Sequence, residues 1–264
     1  MTTLPLPSQE NHRLFSLTDR VVLITGSSRG IGRALARACA EAGAHVVINA
    51  RTAEPVAQTV AELEADGFAA TGQVADVTDS DAVTTMVDRI ETDIGPISGL
   101  VNNAGIQRRA PFLEFDPNDY REILEMNLVA PFVVSQAVAR PMVERGAGRI
   151  VNIGSVQSQL GRPTIVPYTA SKGGIVMLTR GMCADLGPKG LQVNCVAPGY
   201  FKTELTRALV EDETFSAWLA ERTPAGRWGE LSELGGAVVF LLSDAASFIN
   251  GQTLFVDGGM TAVV

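Results

Sequence analysis

Tyr168 and Lys172 stand four residues apart in Tyr168-Thr169-Ala170-Ser171-Lys172, a spacing that puts a phenol and an ammonium on one face of a helix. A free tyrosine titrates near 10, so acid–base work at neutral pH needs a shift of about 3 units, roughly 4 kcal/mol. One ammonium about 4 Å away supplies a comparable energy at an effective dielectric near 20. Ser155, thirteen residues upstream, follows an apolar strand pattern and offers a hydroxyl at the strand's end. The only histidines are His12 and His45, so a Ser-His-Asp triad or a zinc site has almost no material and no metal centre is expected. Cys39, Cys183 and Cys195 show no CxxC spacing and read as structural thiols of a reducing, cytoplasmic setting.

A second group opens the chain. After the apolar run Val21–Thr25 comes Thr25-Gly26-Ser27-Ser28-Arg29-Gly30-Ile31-Gly32 and then a helical pattern. Gly26 permits a tight turn, Gly30 lets backbone approach a pyrophosphate, and Gly32 permits close helix–strand packing, while a helix N-terminus presents free N–H groups. At the end of the second strand a site selective for NAD would carry a carboxylate for the ribose 2′-hydroxyl. Here stand Asn49-Ala50-Arg51. Arg51 with Arg29 suits a 2′-phosphate, which predicts NADP(H); the two could equally be solvated surface arginines.

These groups need a scaffold. The chain of 264 residues is 46% apolar and 19% charged with a net charge of −8, a globular composition ample for a large core. Short apolar runs at Val21–Thr25, Val46–Asn49, Ala69–Val74, Gly99–Asn102, Arg149–Ile153, Leu191–Val196 and Gln252–Val256 alternate with amphipathic stretches such as Ile31–Ala42 and Pro55–Asp66. Gly43, Gly67, Gly95, Gly148 and Gly190 punctuate the helix ends. The alternation predicts one α/β domain over residues 14–264, a Rossmann-type doubly wound parallel sheet of about seven strands with its ligand beyond the strand C-termini. Residues 1–13, with Pro5 and Pro7, read as a flexible tail. Neither a secretory leader nor a membrane span is expected, the longest apolar run being Ala237–Leu242, and the acidic balance with no basic cluster disfavours nucleic acid and membrane partners.

Thr25 to Gly32, Asn102-Asn103-Ala104-Gly105, Ser155, Tyr168 with Lys172, and Pro198-Gly199 together resemble the short-chain dehydrogenase/reductases over nearly the whole chain after the tail. The resemblance implies a catalytic tetrad of Asn127, Ser155, Tyr168 and Lys172. Tyr168 would exchange a proton with the substrate oxygen as hydride moves to or from nicotinamide, Ser155 would bond that oxygen, and Lys172 would hold the nicotinamide ribose and lower the tyrosine pKa. Asn127 would position a proton-relaying water, or serve only as a structural asparagine. Further cofactor contacts are implied for Ser28, Ile31, Asp76, Val77, Asn103, Ala104, Gly105, Pro198, Gly199, Phe201 and Thr203, although Asp76 could instead cap a helix. A homotetramer is also implied, with Phe255–Gly259 near an interface.

Longer matches, among them Gly105-Ile106-Gln107-Arg108-Arg109, Ala197 to Glu204 and Arg222 to Gly229, narrow the resemblance to members that interconvert gluconate and its 5-keto form. An anionic polyol also suits the residues themselves. Gln107, Arg108, Arg109, Gln157, Gln159 and Arg162 fall beyond strand ends, and a sugar acid needs a cation for its carboxylate and amides for its hydroxyls. Arg108 and Arg109 could alternatively pair with acids at a subunit interface. Residues 204–222 read as a helical lid over the site or as an ordinary packed helix pair. Two rivals stay open: another reductase of the family, acting on 3-oxoacyl-carrier protein or a different sugar acid or ketone, and a non-catalytic NADP-sensing module.

Overall fold

A computed structural model describes residues 13–204 and 206–264. The expected tail lies outside the described residues except Arg13, which already sits in a helical turn with Leu14. Seven parallel strands follow: β1 (Val21–Ile24), β2 (His45–Ala50), β3 (Ala70–Val74), β4 (Ile97–Asn102), β5 (Gly148–Ile153), β6 (Leu191–Pro198) and β7 (Thr253–Val256). Their order in the sheet is β3-β2-β1-β4-β5-β6-β7. The order reverses between β1 and β4, the crevice where open α/β sheets bind ligands. Every expected strand is present within two residues, because strands buried on both faces read as unbroken apolar runs; β1 is buried throughout.

Helices α1 (Gly30–Glu41), α2 (Ala53–Ala65) and α9 (Ser232–Leu242) cover one face through Leu35, Cys39, Leu63, Leu234 and Val238. The other face is covered by α3 (Ser80–Asp93), α5 (Ala130–Arg145) and α6 (Val166–Leu186), through Val83, Ile90, Val134, Val138, Met142 and Met182. Helix α4 (Pro117–Leu124) runs into α5 through a π-helical turn at Glu125–Val129. The joined helix, Pro117–Arg145, is long and apolar enough to span a membrane by length and composition alone, and half of its most apolar window is buried inside the fold, as in a core helix. Gly146, at φ +67°, ends α5, whereas Gly148 opens β5 against Met142. Helix α3 is capped by Asp79, whose carboxylate accepts from the Asp81 and Ala82 amides, so Asp76 is not the cap.

After β6 the chain forms α7 (Arg207–Val210) and α8 (Glu213–Arg222). Leu205, just before this stretch, lies outside the described residues. Leu209, Phe215 and Leu219 join a small third core with Val156, Trp228 and Met260. The segment therefore rests on the loop that follows Ser155 rather than on the main sheet.

Candidate active site

The glycine turn is locked to the end of β4. Thr25 Oγ1 accepts from the Asn103 and Ala104 amides at 3.0 and 3.1 Å, and Asn103 Nδ2 donates to the Thr25 and Gly26 carbonyls at 2.9 and 3.0 Å. A Cβ at Gly32 would fall on the Asn103 amide and the Gly26 carbonyl, so only glycine lets α1 start this close to β4. Gly30 has φ +56° and open space where a side chain would point. Helix α1 begins with no capping side chain and no acid in its first turn, which leaves its first N–H groups and the positive end of its dipole available. A groove lined by Gly30, Arg33, Thr203 and Arg207 runs from this turn to the segment after β6. Arg29, next to Gly30, and Arg51, at the end of β2, are exposed, and neither forms an ion pair among the described residues. Asn49 braces the ends of β2 and β3 by donating to the Gln73 and Ala75 carbonyls. Burial resists ionisation of Asp76, but Thr78, donating from its amide and hydroxyl, and the charge of Arg51 carry the carboxyl below its ordinary range. These features fit a dinucleotide: free N–H groups for a pyrophosphate, and unpaired guanidiniums for a 2′-phosphate.

Phe201 is buried, its ring packed beneath Gly229. Thr203 shares a hydroxyl hydrogen bond of 2.9 Å with Thr206. Val77 is buried, and Gly199 donates its amide to Val256.

Ser155 begins a 3₁₀ turn over Val156–Ser158 at the end of β5. Its Oγ donates to Gln157 Oε1 at 2.8 Å and accepts from the Gln157 amide at 3.2 Å. Gln157 is thus folded back on Ser155 and is a partner of the serine rather than an outward arm. Tyr168 lies in the first turn of α6, started by Pro167. Thr164 just before it has φ +72°, a costly conformation for a β-branched residue, and its carbonyl accepts from the Ala110 amide at 3.1 Å. That strained link ties the segment carrying Arg108 and Arg109 to the helix carrying Tyr168.

Lys172 is buried and donates to the Ile153 carbonyl at 2.7 Å, with Nζ 5.6 Å from the Tyr168 ring centroid. Burial lowers its pKa to about 8. Burial also raises the Tyr168 phenol above its usual value, opposed by the Ser155 hydroxyl beside it. The expected lowering of the tyrosine by Lys172 is therefore absent from this state: the ammonium is held by a carbonyl, and desolvation outweighs it. Asn127 sits in the π turn, 1% exposed; its amide donates to the Ile106 carbonyl and to Ser171 Oγ, and its Oδ1 accepts from the Ile106 amide. Ser171 in turn donates to the Tyr168 carbonyl at 2.7 Å. Through Ser171, Asn127 braces the helix that carries Tyr168.

The candidate substrate arginines divide. Arg108 pairs with Asp119 and Glu122 of α4, acids of its own chain rather than of an interface. Arg109 forms no ion pair among the described residues; partial burial and the charge of Arg162 lower its pKa. Arg162 lies with its guanidinium 4.7 Å from the Phe215 ring centroid and donates to the Tyr200 hydroxyl at 3.3 Å. Gln107 is half-buried and Gln159 is exposed. Tyr200 was not among the expected site residues. Its place depends on the packing of Phe215, Trp218 and Trp228 around it, which no local spacing announces.

The family profile described as Enoyl-(Acyl carrier protein) reductase matches residues 26–261. The chain is 55% identical to 5-keto-D-gluconate 5-reductase of Escherichia coli (strain K12), over 95% of this chain and 99% of that protein. It is 56% identical to gluconate 5-dehydrogenase of Gluconobacter oxydans (strain 621H), over 94% and 97% of the respective chains. A crystal structure of a gluconate 5-dehydrogenase from Burkholderia cenocepacia J2315 in complex with NADP and tartrate is 55% identical, with a TM-score of 0.94, and covers 96% of this chain and 100% of that one. Likeness of that extent, on a seven-stranded fold that gathers the glycine turn, the serine, the tyrosine and the lysine at one sheet edge, means that this chain belongs to the short-chain dehydrogenase/reductase family.

Proposed function

We propose that the protein is an NADP-dependent oxidoreductase that interconverts D-gluconate and 5-keto-D-gluconate. The observation that carries the substrate class is the pair Arg109 and Arg162, two neighbouring guanidiniums with no carboxylate partner among the described residues, beyond the sheet edge that carries Tyr168. In a chain of net charge −8, such a pair draws in and holds a substrate carboxylate. Relatives named for gluconate and its 5-keto form, one of them crystallised with NADP and tartrate, support the same reading.

Arg29, Arg51 and the first N–H groups of α1 would hold the coenzyme's phosphates, with Asn103 and Thr203 bordering it. When bound, NADP(H) supplies or takes up the hydride at the substrate carbon. During reduction the Tyr168 phenol would protonate the carbonyl oxygen, with the positive charge of Lys172 beneath its ring opposing the burial that raises its pKa. Ser155 turns its hydroxyl from Gln157 to that oxygen and bonds the developing charge. Lys172, fixed by the Ile153 carbonyl, keeps a positive charge beneath the tyrosine. Segment 204–222, resting on the Ser155 loop, excludes water as a lid.

The three cysteines are free and two are buried, which suits a reducing cytoplasm. Exposed Phe132 and Met177 on α5 and α6, with Phe248 and Leu254 near β7, are apolar surface suited to assembly as a homotetramer.

The test is NADPH consumption followed at 340 nm with 5-keto-D-gluconate, other keto-sugar acids and a 3-oxoacyl thioester. 5-Keto-D-gluconate should give the highest kcat/KM, NADPH should exceed NADH, and Tyr168→Phe should lose about 10²- to 10⁴-fold in kcat while still binding NADPH. NADPH binding without turnover of any substrate would favour a sensing module instead.

A further inference from the structure

Tyr200 follows the end of β6, and its ring is fenced by Phe215, Trp218 and Trp228 at centroid distances of 5.6, 6.4 and 5.9 Å, the two tryptophans edge-on at 86°. The ring is therefore fixed and only the hydroxyl is left to act. That hydroxyl accepts from Arg162 Nη1 at 3.3 Å, and its own proton has no acceptor among the described residues. Through that bond to Arg162 it stands beside the guanidinium that neighbours Arg109, and it lies within electrostatic reach of Tyr168 and of Arg109. An aromatic ring this tightly packed with an unspent donor at its tip has the form of a specificity device, since a fixed donor loses little entropy when it bonds a ligand.

We infer that Tyr200 determines specificity by donating its hydroxyl proton to a hydroxyl oxygen of the substrate that lies between the reacting carbonyl and the carboxylate held by Arg109 and Arg162. The inference rests on the sugar-acid reading above and extends it, for it names the group that distinguishes a polyhydroxylated acid from a plain keto acid. A site built to bond a hydroxyl discriminates against a ligand without it, because the donor is left unpaired in the closed site.

Tyr200→Phe removes the hydroxyl and keeps the ring. The probes are 5-keto-D-gluconate and 5-oxohexanoate, which share the carboxylate and the ketone at carbon 5 but differ in hydroxyls. For the variant, KM for 5-keto-D-gluconate should rise about 3- to 10-fold with kcat within about twofold, while the constant for 5-oxohexanoate, as substrate or competitive inhibitor, stays unchanged. Trp228→Phe, which loosens the cluster without touching the hydroxyl, should weaken both ligands alike. Equal losses for both ligands with Tyr200→Phe, or no loss for either, overturn the inference. The wild type gives a second measure that needs no variant: 5-oxohexanoate must bind more weakly than 5-keto-D-gluconate, and equal affinity also overturns it. Absence of wild-type turnover of 5-keto-D-gluconate would instead sink the substrate reading, and the inference with it.

Discussion

Adjacent arginines of the same charge have different work because of what surrounds them. Arg108 is already neutralised by Asp119 and Glu122, whereas Arg109 shares its surroundings with Arg162 and with no acid among the described residues. A hydrogen bond to a charged group contributes about 1.5–3 kcal/mol. Arg109→Ala should therefore raise KM for 5-keto-D-gluconate by roughly 10- to 100-fold, with a smaller change in kcat, while Arg108→Ala stays within about twofold in steady-state kinetics. Lys172 gives a second prediction at this scale. Its pKa falls from 10.5 in the unfolded chain to about 8 in the fold, so between those values the unfolded state binds more protons, and the lysine's contribution to stability improves as pH rises. Urea melts of wild type and Lys172→Met should show the wild type gaining up to about 3 kcal/mol relative to the variant between pH 8 and 10.5. A constant gap over that range would mean that the buried amine is not depressed.

The turn between β1 and α1 works as a unit with the end of β4, through Thr25, Asn103 and the bare Cα of Gly32. Gly32→Ala would push the Asn103 amide off the Thr25 and Gly26 carbonyls, so the variant should lose at least about tenfold in NADPH affinity and fall in Tm, measured by coenzyme titration and calorimetry. This turn was legible in the sequence because its glycines sit between an apolar run and a helix, and the pairing of Tyr168 with Lys172 because helical spacing is local. The strands were legible for a related reason: a parallel sheet covered on both faces leaves apolar runs that little else produces. What escaped was tertiary. Gln157 folding back on Ser155, Arg108 meeting acids 11 and 14 residues away, and the net effect of burial on Tyr168 all depend on chain segments meeting in space. The π turn that delivers Asn127 to Ile106 and Ser171 left no periodic signature either, since it adds a single residue per turn within an otherwise continuous helix.

Across the whole molecule, chemistry and cohesion are divided between opposite ends of the sheet. The site lies at the strand C-termini, while at the N-terminal ends Asp244 accepts from Arg20 at 2.6 Å and from Arg149 at 2.9 Å, and Arg20 also donates to the Leu242 carbonyl. One carboxylate thereby joins the approach to β1, the start of β5 and the end of α9. Hydrogen bonds from Arg20 are the main cause that holds the Asp244 carboxyl below its ordinary value. A carboxyl depressed in the fold stabilises it above the unfolded pKa, near 3.8, and that contribution is lost as pH falls through the lower folded value. Asp244 is largely exposed, so solvent screening holds the effect to about 1 kcal/mol, a fall of roughly 2–4 °C in Tm for a chain of this size. Asp244→Asn should therefore melt a few degrees below wild type at pH 7, and the gap should close as the pH is taken below about 4. Activity should be unaffected, because the carboxylate lies across the sheet from Tyr168. Loss of kcat/KM in Asp244→Asn at an unchanged Tm would contradict this separation of the stabilising end from the reacting one.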